Sequence, residues 1–195
     1  MLEANMETLY QGDVPTRNYQ TTIDRLRQAI DDKPGTMTLQ LARQFKLPEV
    51  EVIRNFPADR AVELDISSWE QLIRSMEAVG HVRVLVSNYA TTMEAVGRFG
   101  GFSTTGEFFN IQTESLDLHL RWQELSSAFA VEKPGHIDGN LTQSIQFFDQ
   151  CGNAALKIFL SFGEPVSPEV HRLFEDLRGK FRARTGAESL ISSSH

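Results

Sequence analysis

From residue 116 the chain alternates between apolar and polar positions. Leu116, Leu118 and Leu120 are separated by Asp117, His119 and Arg121, the period of two that turns apolar side chains to one face of a strand and polar ones to the other. The block 116–131 is therefore predicted to be largely half-buried strand. Residues 141–160 carry the same signature in two halves. Ile145, Phe147 and Phe148 precede Asp149-Gln150-Cys151-Gly152-Asn153, and Leu156, Ile158 and Leu160 resume the alternation beyond. Gly and Asn tolerate positive φ, so two antiparallel strands joined by a hairpin are expected. Further strands are predicted over 81–87, 91–96, 107–112, 115–122 and 128–132, with 154–162 closing the set. The glycine-rich stretch 97–106 reads as a flexible loop beside a ligand cleft, and 133–139 as a connection rich in turn formers.

Elsewhere the period is helical. Ile23, Leu26 and Ile30 mark a helix over 21–32 that Lys33-Pro34-Gly35 stops, and the stretches 38–46 and 49–56 form two more around Leu47-Pro48. Leu72, Ile73, Met76 and Val79 form a stripe along 68–79, with Ser67 or Ser68 as its cap. Ser167-Pro168-Glu169 opens a final helix that places Val170, Leu173, Phe174 and Leu177 on one face. The fold class that follows is α+β: N-terminal helices, a largely antiparallel β-sheet or pair of sheets, and a C-terminal helix. Its organisation is read as a flexible leader (1–20), a helical subdomain (21–60), an α+β domain (61–183) and a disordered tail (184–195).

Composition narrows the function. With 41% apolar and 23% charged residues in 195, the chain suits an ordinary soluble domain. The helix-turn-helix spacing near residue 47 invites a DNA-binding reading. However, Arg43, Lys46, Arg54 and Arg60 are nearly offset by Glu49, Glu51 and Asp59, and the net charge is −7. Phosphate binding needs clustered positive charge, so no nucleic acid is expected. No run approaches the roughly 20 apolar residues needed to span a bilayer, and no signal peptide is evident; no membrane partner is expected and the cytoplasm is the default compartment. The lone Cys151 sits at the hairpin turn, solvated and without an internal disulfide partner. Phosphate loops, HExxH, CxxC and GxSxG are all absent from the sequence.

Four stretches carry a resemblance: Trp69-Glu70-Gln71-Leu72-Ile73 leading to Ala78-Val79-Gly80; Asp117-Leu118-His119-Leu120-Arg121-Trp122; Phe129-Ala130-Val131; and the segment from Phe147 to Lys157-Ile158-Phe159-Leu160. In order and spacing they resemble one repeat of the HemS/HmuS haem-utilisation proteins and their single-repeat relatives, the ChuX/HutX group. The resemblance covers residues 68–180, with the helical leader before Phe56 also typical of the group. It implies haem as ligand, held reversibly by a cytoplasmic protein for intracellular transport or storage in iron acquisition. It also implies a homodimer imitating the two-repeat version, and a downstream haem-degrading or haem-accepting partner. Two alternatives stay open: a haem-degrading oxygenase, and a dimeric binding module that has lost haem.

Haem iron takes His, Met, Cys or Tyr, and Arg or Lys pairs the propionates. Where HemS-like repeats often carry a histidine, within 91–94, this chain has Met93; the histidines of ChuX-like relatives near Ser87 and 103–105 are missing too. Met93 is thus the candidate metal ligand, against its reading as a core methionine. His81 either faces a cleft or simply ends a strand. His119 and Arg121 share a face with Asp117, which either lines the cleft or is a surface charge ladder. Lys157 is either a propionate partner or a lysine reaching to water, and Trp69 and Phe102 are candidate apolar walls. No catalytic residue is identified, and His136, His171 and His195 are read as surface positions.

Overall fold

The computed structural model of the chain describes residues 16–88, 90–137, 139–161 and 164–183. Its first layer follows the helical stripes. In α1 (Thr16–Asp32) the residues Ile23, Leu26 and Ile30 are buried on one side. The short α2 (Thr38–Phe45) ends at Lys46, whose left-handed φ of 55° reverses the chain, and Pro48 precedes α3 (Glu49–Arg54). The start of α1 at Thr16 falls inside the segment expected to be a loose leader. Residues 1–15 and 184–195, the rest of that leader and the expected tail, lie outside the described residues.

The strands are β1 (Ala61–Leu64), β2 (His81–Ser87), β3 (Thr92–Arg98), β4 (Phe102–Thr105), β5 (Phe108–Gln112), β6 (Asp117–Arg121), β7 (Leu125–Pro134), β8 (Leu141–Asp149) and β9 (Ala154–Phe159). They form a six-stranded antiparallel sheet in the order β1-β7-β8-β9-β2-β3 and a three-stranded sheet in the order β4-β5-β6. The stripe over 68–79 is realised as α4 (Trp69–Ser75) flanked by 3₁₀ turns, and α5 (Pro168–Lys180) closes the fold with Ser167 capping the Val170 N–H.

β1 and β4 were not expected from the sequence. β1 spans four residues, too short for a period to register. β4 lies within the predicted glycine loop; Gly100 and Gly101, both at positive φ, turn the chain so that Phe102 pairs with Ile111.

The large sheet is buried on both faces at its centre. Phe129, Val131 and Phe148 pack with α1–α3. Ala128, Ala130, Ile145, Phe147, Leu156, Ile158, Val82 and Val84 pack on the opposite face, beneath residues of α4, α5 and the small sheet. Double burial explains why the centre of β7, from Ala128 to Val131, reads as an apolar run rather than an alternation. The helices α1–α3 thereby share a core with one face of the sheet. The β8–β9 turn reinforces the join: Val50 N–H donates to the Gly152 carbonyl at 2.9 Å, and Gly152 has a φ of 79°.

The two edges of the large sheet differ. Along β1, Ala183 N–H donates to the Glu63 carbonyl at 2.9 Å and Asp65 N–H to the Phe181 carbonyl at 2.7 Å. Along β3 no further strand pairs among the described residues, and Met93 and Val96 are 59% and 49% exposed.

Candidate functional site

The small sheet has two chemically distinct faces because its strands alternate. Inward, Phe109 and Ile111 of β5 and Leu120 of β6 are buried in the core. Outward, β6 presents Asp117, His119 and Arg121, all exposed.

Aromatic rings gather along the inward face. Trp69 at the start of α4 stacks on Trp122, with ring centroids 5.4 Å apart and planes 9° from parallel, and meets Phe109 edge-on at 5.1 Å. Phe109 in turn stacks on Phe102 at 5.7 Å, and Phe102 meets Phe99 at 5.8 Å. Phe99 and Phe109 are fully buried, whereas Trp69, Trp122 and Phe102 keep part of their surface open. The Arg74 guanidinium lies over Phe102 and Phe109, 5.4 and 5.2 Å from their centroids. A cation over ring faces at that distance is electrostatically favourable. Trp69 and Phe102 are therefore brought together, through a ring (Phe109) that is core.

The outward face holds a polar constellation. His119 Nδ1 lies 2.7 Å from Asn110 Oδ1, and its Nε2 lies 3.5 Å from Asp117. Asn110, 4% exposed, donates to the Ser103 and Thr105 hydroxyls at 3.1 and 3.3 Å. Arg121 pairs with Glu107 at 3.2 Å, and its guanidinium sits 5.2 Å from the Phe108 ring centroid. Both members of that ion pair are more than half exposed, so the pair binds weakly and either group is free to take another partner. His119 and Arg121 are thus neighbours on one open face, flanking Phe108, whose ring is 6.2 Å from that of His119.

The remaining candidates are scattered. His81 is exposed at the start of β2, opposite Arg98, while Met93 is opposite Val86 toward the other end of the same strand pair. They alternate onto opposite faces, so the two share no ligand. Met93 is an exposed edge residue rather than a core methionine.

Lys157 is placed where neither of its expected roles operates. It faces α1–α3 rather than water, 6% exposed, with Nζ 2.5 Å from Glu49 Oε1 and 3.0 Å from Thr38 Oγ1. Thr38 also donates to Glu49 at 2.5 Å. A cation neutralised inside the core is not on offer to a propionate; the sequence reading missed this because Thr38 and Glu49 are more than 100 residues away. Glu49 itself gave a signal, a carboxylate at the start of an apolar helical stripe.

Grooves on the described surface include two near the helices. One, of about 350 Å³, is lined by Lys33, Gly35, Thr36, Met37, Gln40 and His136. The other, of about 490 Å³, lies where the end of the α4 segment meets α5 and is lined by residues including Val79, Val170 and Leu173. Neither contains any of the seven residues selected from the sequence.

Comparison with known proteins agrees with this architecture. The chain is 29% identical over 136 residues to the hemin transport protein HemS of Yersinia enterocolitica, an overlap covering 69% of this chain and 38% of that protein. The match to hemin transport protein HmuS of Yersinia pestis has the same extent, so the chain spans well under half the length of these relatives. Among solved structures, the fold superposes on the heme-binding protein ChuX with a TM-score of 0.69 at 22% identity, covering 80% of this chain and 97% of that one. The heme-degrading enzyme ChuS of Escherichia coli O157:H7 gives 0.70 at 22% identity, covering 85% of this chain and 47% of ChuS. No helix among the described residues is long and apolar enough to cross a membrane. The haemin-degrading HemS/ChuX domain matches residues 46–177, from the end of α2 to within α5, and the chain therefore belongs to the HemS/ChuX family.

Proposed function

We propose that this protein binds haem reversibly, as a cytoplasmic carrier or store in iron acquisition, and passes it to a degrading or accepting partner. Membership of the HemS/ChuX family across residues 46–177 is the observation that carries this reading. On exposure and grouping, His119 and Arg121 are the candidates best suited to act together, the imidazole toward iron and the guanidinium toward a propionate, with Phe108 as an apolar flank. Met93 is a separate exposed thioether. Trp69 and Phe102 can line an apolar wall through their open ring surface, and His81 is the weakest candidate because the one other candidate on its sheet face, Lys157, is committed to Glu49. The open β3 edge supports a homodimer, since an unpaired strand is a template for a second copy.

Titration of the purified protein with haem, followed in the Soret region against free haem, tests the reading. A saturable shift at one haem per chain or per dimer is expected; a spectrum identical to free haem overturns it. The second reading, an enzyme that opens the haem ring, is favoured by the family's haemin-degrading description and by the fold shared with ChuS. Bilin formation and iron release with a reductant would replace the carrier with the enzyme.

A further inference from the structure

The face of the large sheet that receives α5 carries a second group of ligating side chains, far in chemistry from the aromatic layer. Glu132 of β7 stands opposite Gln143 of β8 in the strand register. Over them pass His171 and Glu175, four residues apart and so on one face of α5. One ligating atom from each of Glu132, His171 and Glu175 lies within 4.8 Å of the others. Arg178 holds Glu175 Oε2 at 2.5 Å and fixes the direction of that carboxylate.

Gln143 makes this more than a charged cluster. Its side chain is fully buried, and its Nε2 is shared between Glu132 Oε2 at 2.6 Å and His171 Nδ1 at 2.7 Å. Two lone pairs, one from a carboxylate and one from an imidazole, thus converge on a single nitrogen. The other end of the same amide, Oε1, is buried with no hydrogen-bond partner. A buried unsatisfied oxygen is costly and calls for an explanation, a bound ion among them. Rotating the terminal amide by half a turn exchanges its ends: the oxygen then faces the carboxylate and the imidazole, and the N–H takes the buried position that has no partner. A cation placed between them takes Gln143 Oε1, Glu132, His171 and Glu175 as ligands in that rotamer.

We propose that Glu132, His171 and Glu175, with the amide oxygen of Gln143, form a site for a first-row divalent cation of the zinc class. The imidazole selects such an ion over magnesium or calcium, which prefer all-oxygen shells. Tetrahedral zinc with N and O ligands needs ligand atoms about 3.3 Å apart; rotation of the exposed His171 side chain and withdrawal of Gln143 from its 2.6 and 2.7 Å contacts bring the set to that spacing. The bound ion pins α5 to β7 and β8, independently of haem.

The test is calorimetric titration of the haem-free, full-length protein with zinc chloride, with magnesium chloride as the contrast. One zinc per chain with micromolar affinity is expected, no heat of binding from magnesium, and a melting temperature raised by zinc. His171→Ala and Glu175→Gln each remove a ligand from α5 without touching the core, and each is expected to weaken zinc binding at least tenfold with an unchanged circular dichroism spectrum. Gln143→Leu is expected to weaken it about tenfold, the effect typical of a supporting ligand. Absence of zinc uptake, or wild-type affinity in both α5 variants, overturns the site; if one variant fails to fold, the other decides.

Discussion

Lys157 and Lys133 show how differently two lysines on one sheet, separated by a single strand, are treated by the fold. Removing one partner of a buried ion pair leaves an uncompensated charge and costs about 3–5 kcal/mol. Lys157→Met is accordingly expected to lose that much in a urea unfolding curve, and Lys157→Met combined with Glu49→Leu to recover most of it. Equal losses in the single and double variants would mean that the pair with Glu49 is not what holds the lysine. Lys133 donates to the Gly35 and Pro134 carbonyls at 3.1 and 2.8 Å. Burial, and then the nearby charge of Lys157, lower its pKa from 10.5 to about 8. Between those two values the unfolded chain holds the extra proton, so this lysine's contribution to stability is complete above 10.5 and is lost as pH falls through about 8. The stability advantage of wild type over Lys133→Met is expected to widen from pH 7.5 to pH 10; a constant difference would leave Lys133 with its ordinary titration. At the candidate site, Arg121→Ala is expected to weaken haem binding several-fold without a change in melting temperature, because its pair with Glu107 is exposed. Unchanged affinity would return Arg121 to the role of a surface charge.

Elements were legible in the sequence wherever a period had room to repeat. The alternation in β6, the stripe of α1 and the Ser-Pro opening of α5 all appear at the places the pattern indicated. What escaped was set by contact rather than period. β4 exists because two glycines turn the chain onto β5, and the helices at 16–54 belong to the sheet's core because Phe129, Val131 and Phe148 reach them. The same logic governed the site: the alternation put His119 and Arg121 on one face, but only the assembled sheet shows that face to be open. Sequence likewise left His171 a surface residue; it is exposed, yet Gln143 reaches it from a strand 28 residues away. The β8–β9 turn offers a test at this scale. At Gly152 a Cβ would come within 2.7 Å of the Val50 side chain, on backbone at a φ of 79°. The left-handed backbone alone costs a non-glycine residue about 1–2 kcal/mol, so Gly152→Ala is expected to lower stability by at least that amount and to raise amide exchange in α3 more than in α5. Uniform exchange across both helices would show that the turn does not anchor α3.

At the scale of the molecule, three layers share one large sheet with unlike edges. β1 is covered by the segment 181–183, whereas β3 has no strand on its outer side among the described residues. A dimer built on the open edge is expected to dissociate when Val96, half exposed on β3, is changed to lysine, the residue that edge strands use to discourage pairing. Sedimentation velocity reads this directly, and a Val96→Lys protein with the wild-type mass would move the interface elsewhere.

The cover over β1 also orders events in time. Its strand is made early, at residues 61–64, but its pairing partner β7 comes some 60 residues later and its edge cover only at 181–183. During synthesis the ribosome therefore exposes a sheet that has no finished side: β1 waits for β7, β2 waits for β9, and the cover arrives after every strand has emerged. Translation of this chain leaves a long interval in which bare strand edges face the crowded cell. A nascent chain stalled before residue 181 carries that exposure permanently, and holding it soluble falls to whatever chaperone meets it at the tunnel exit.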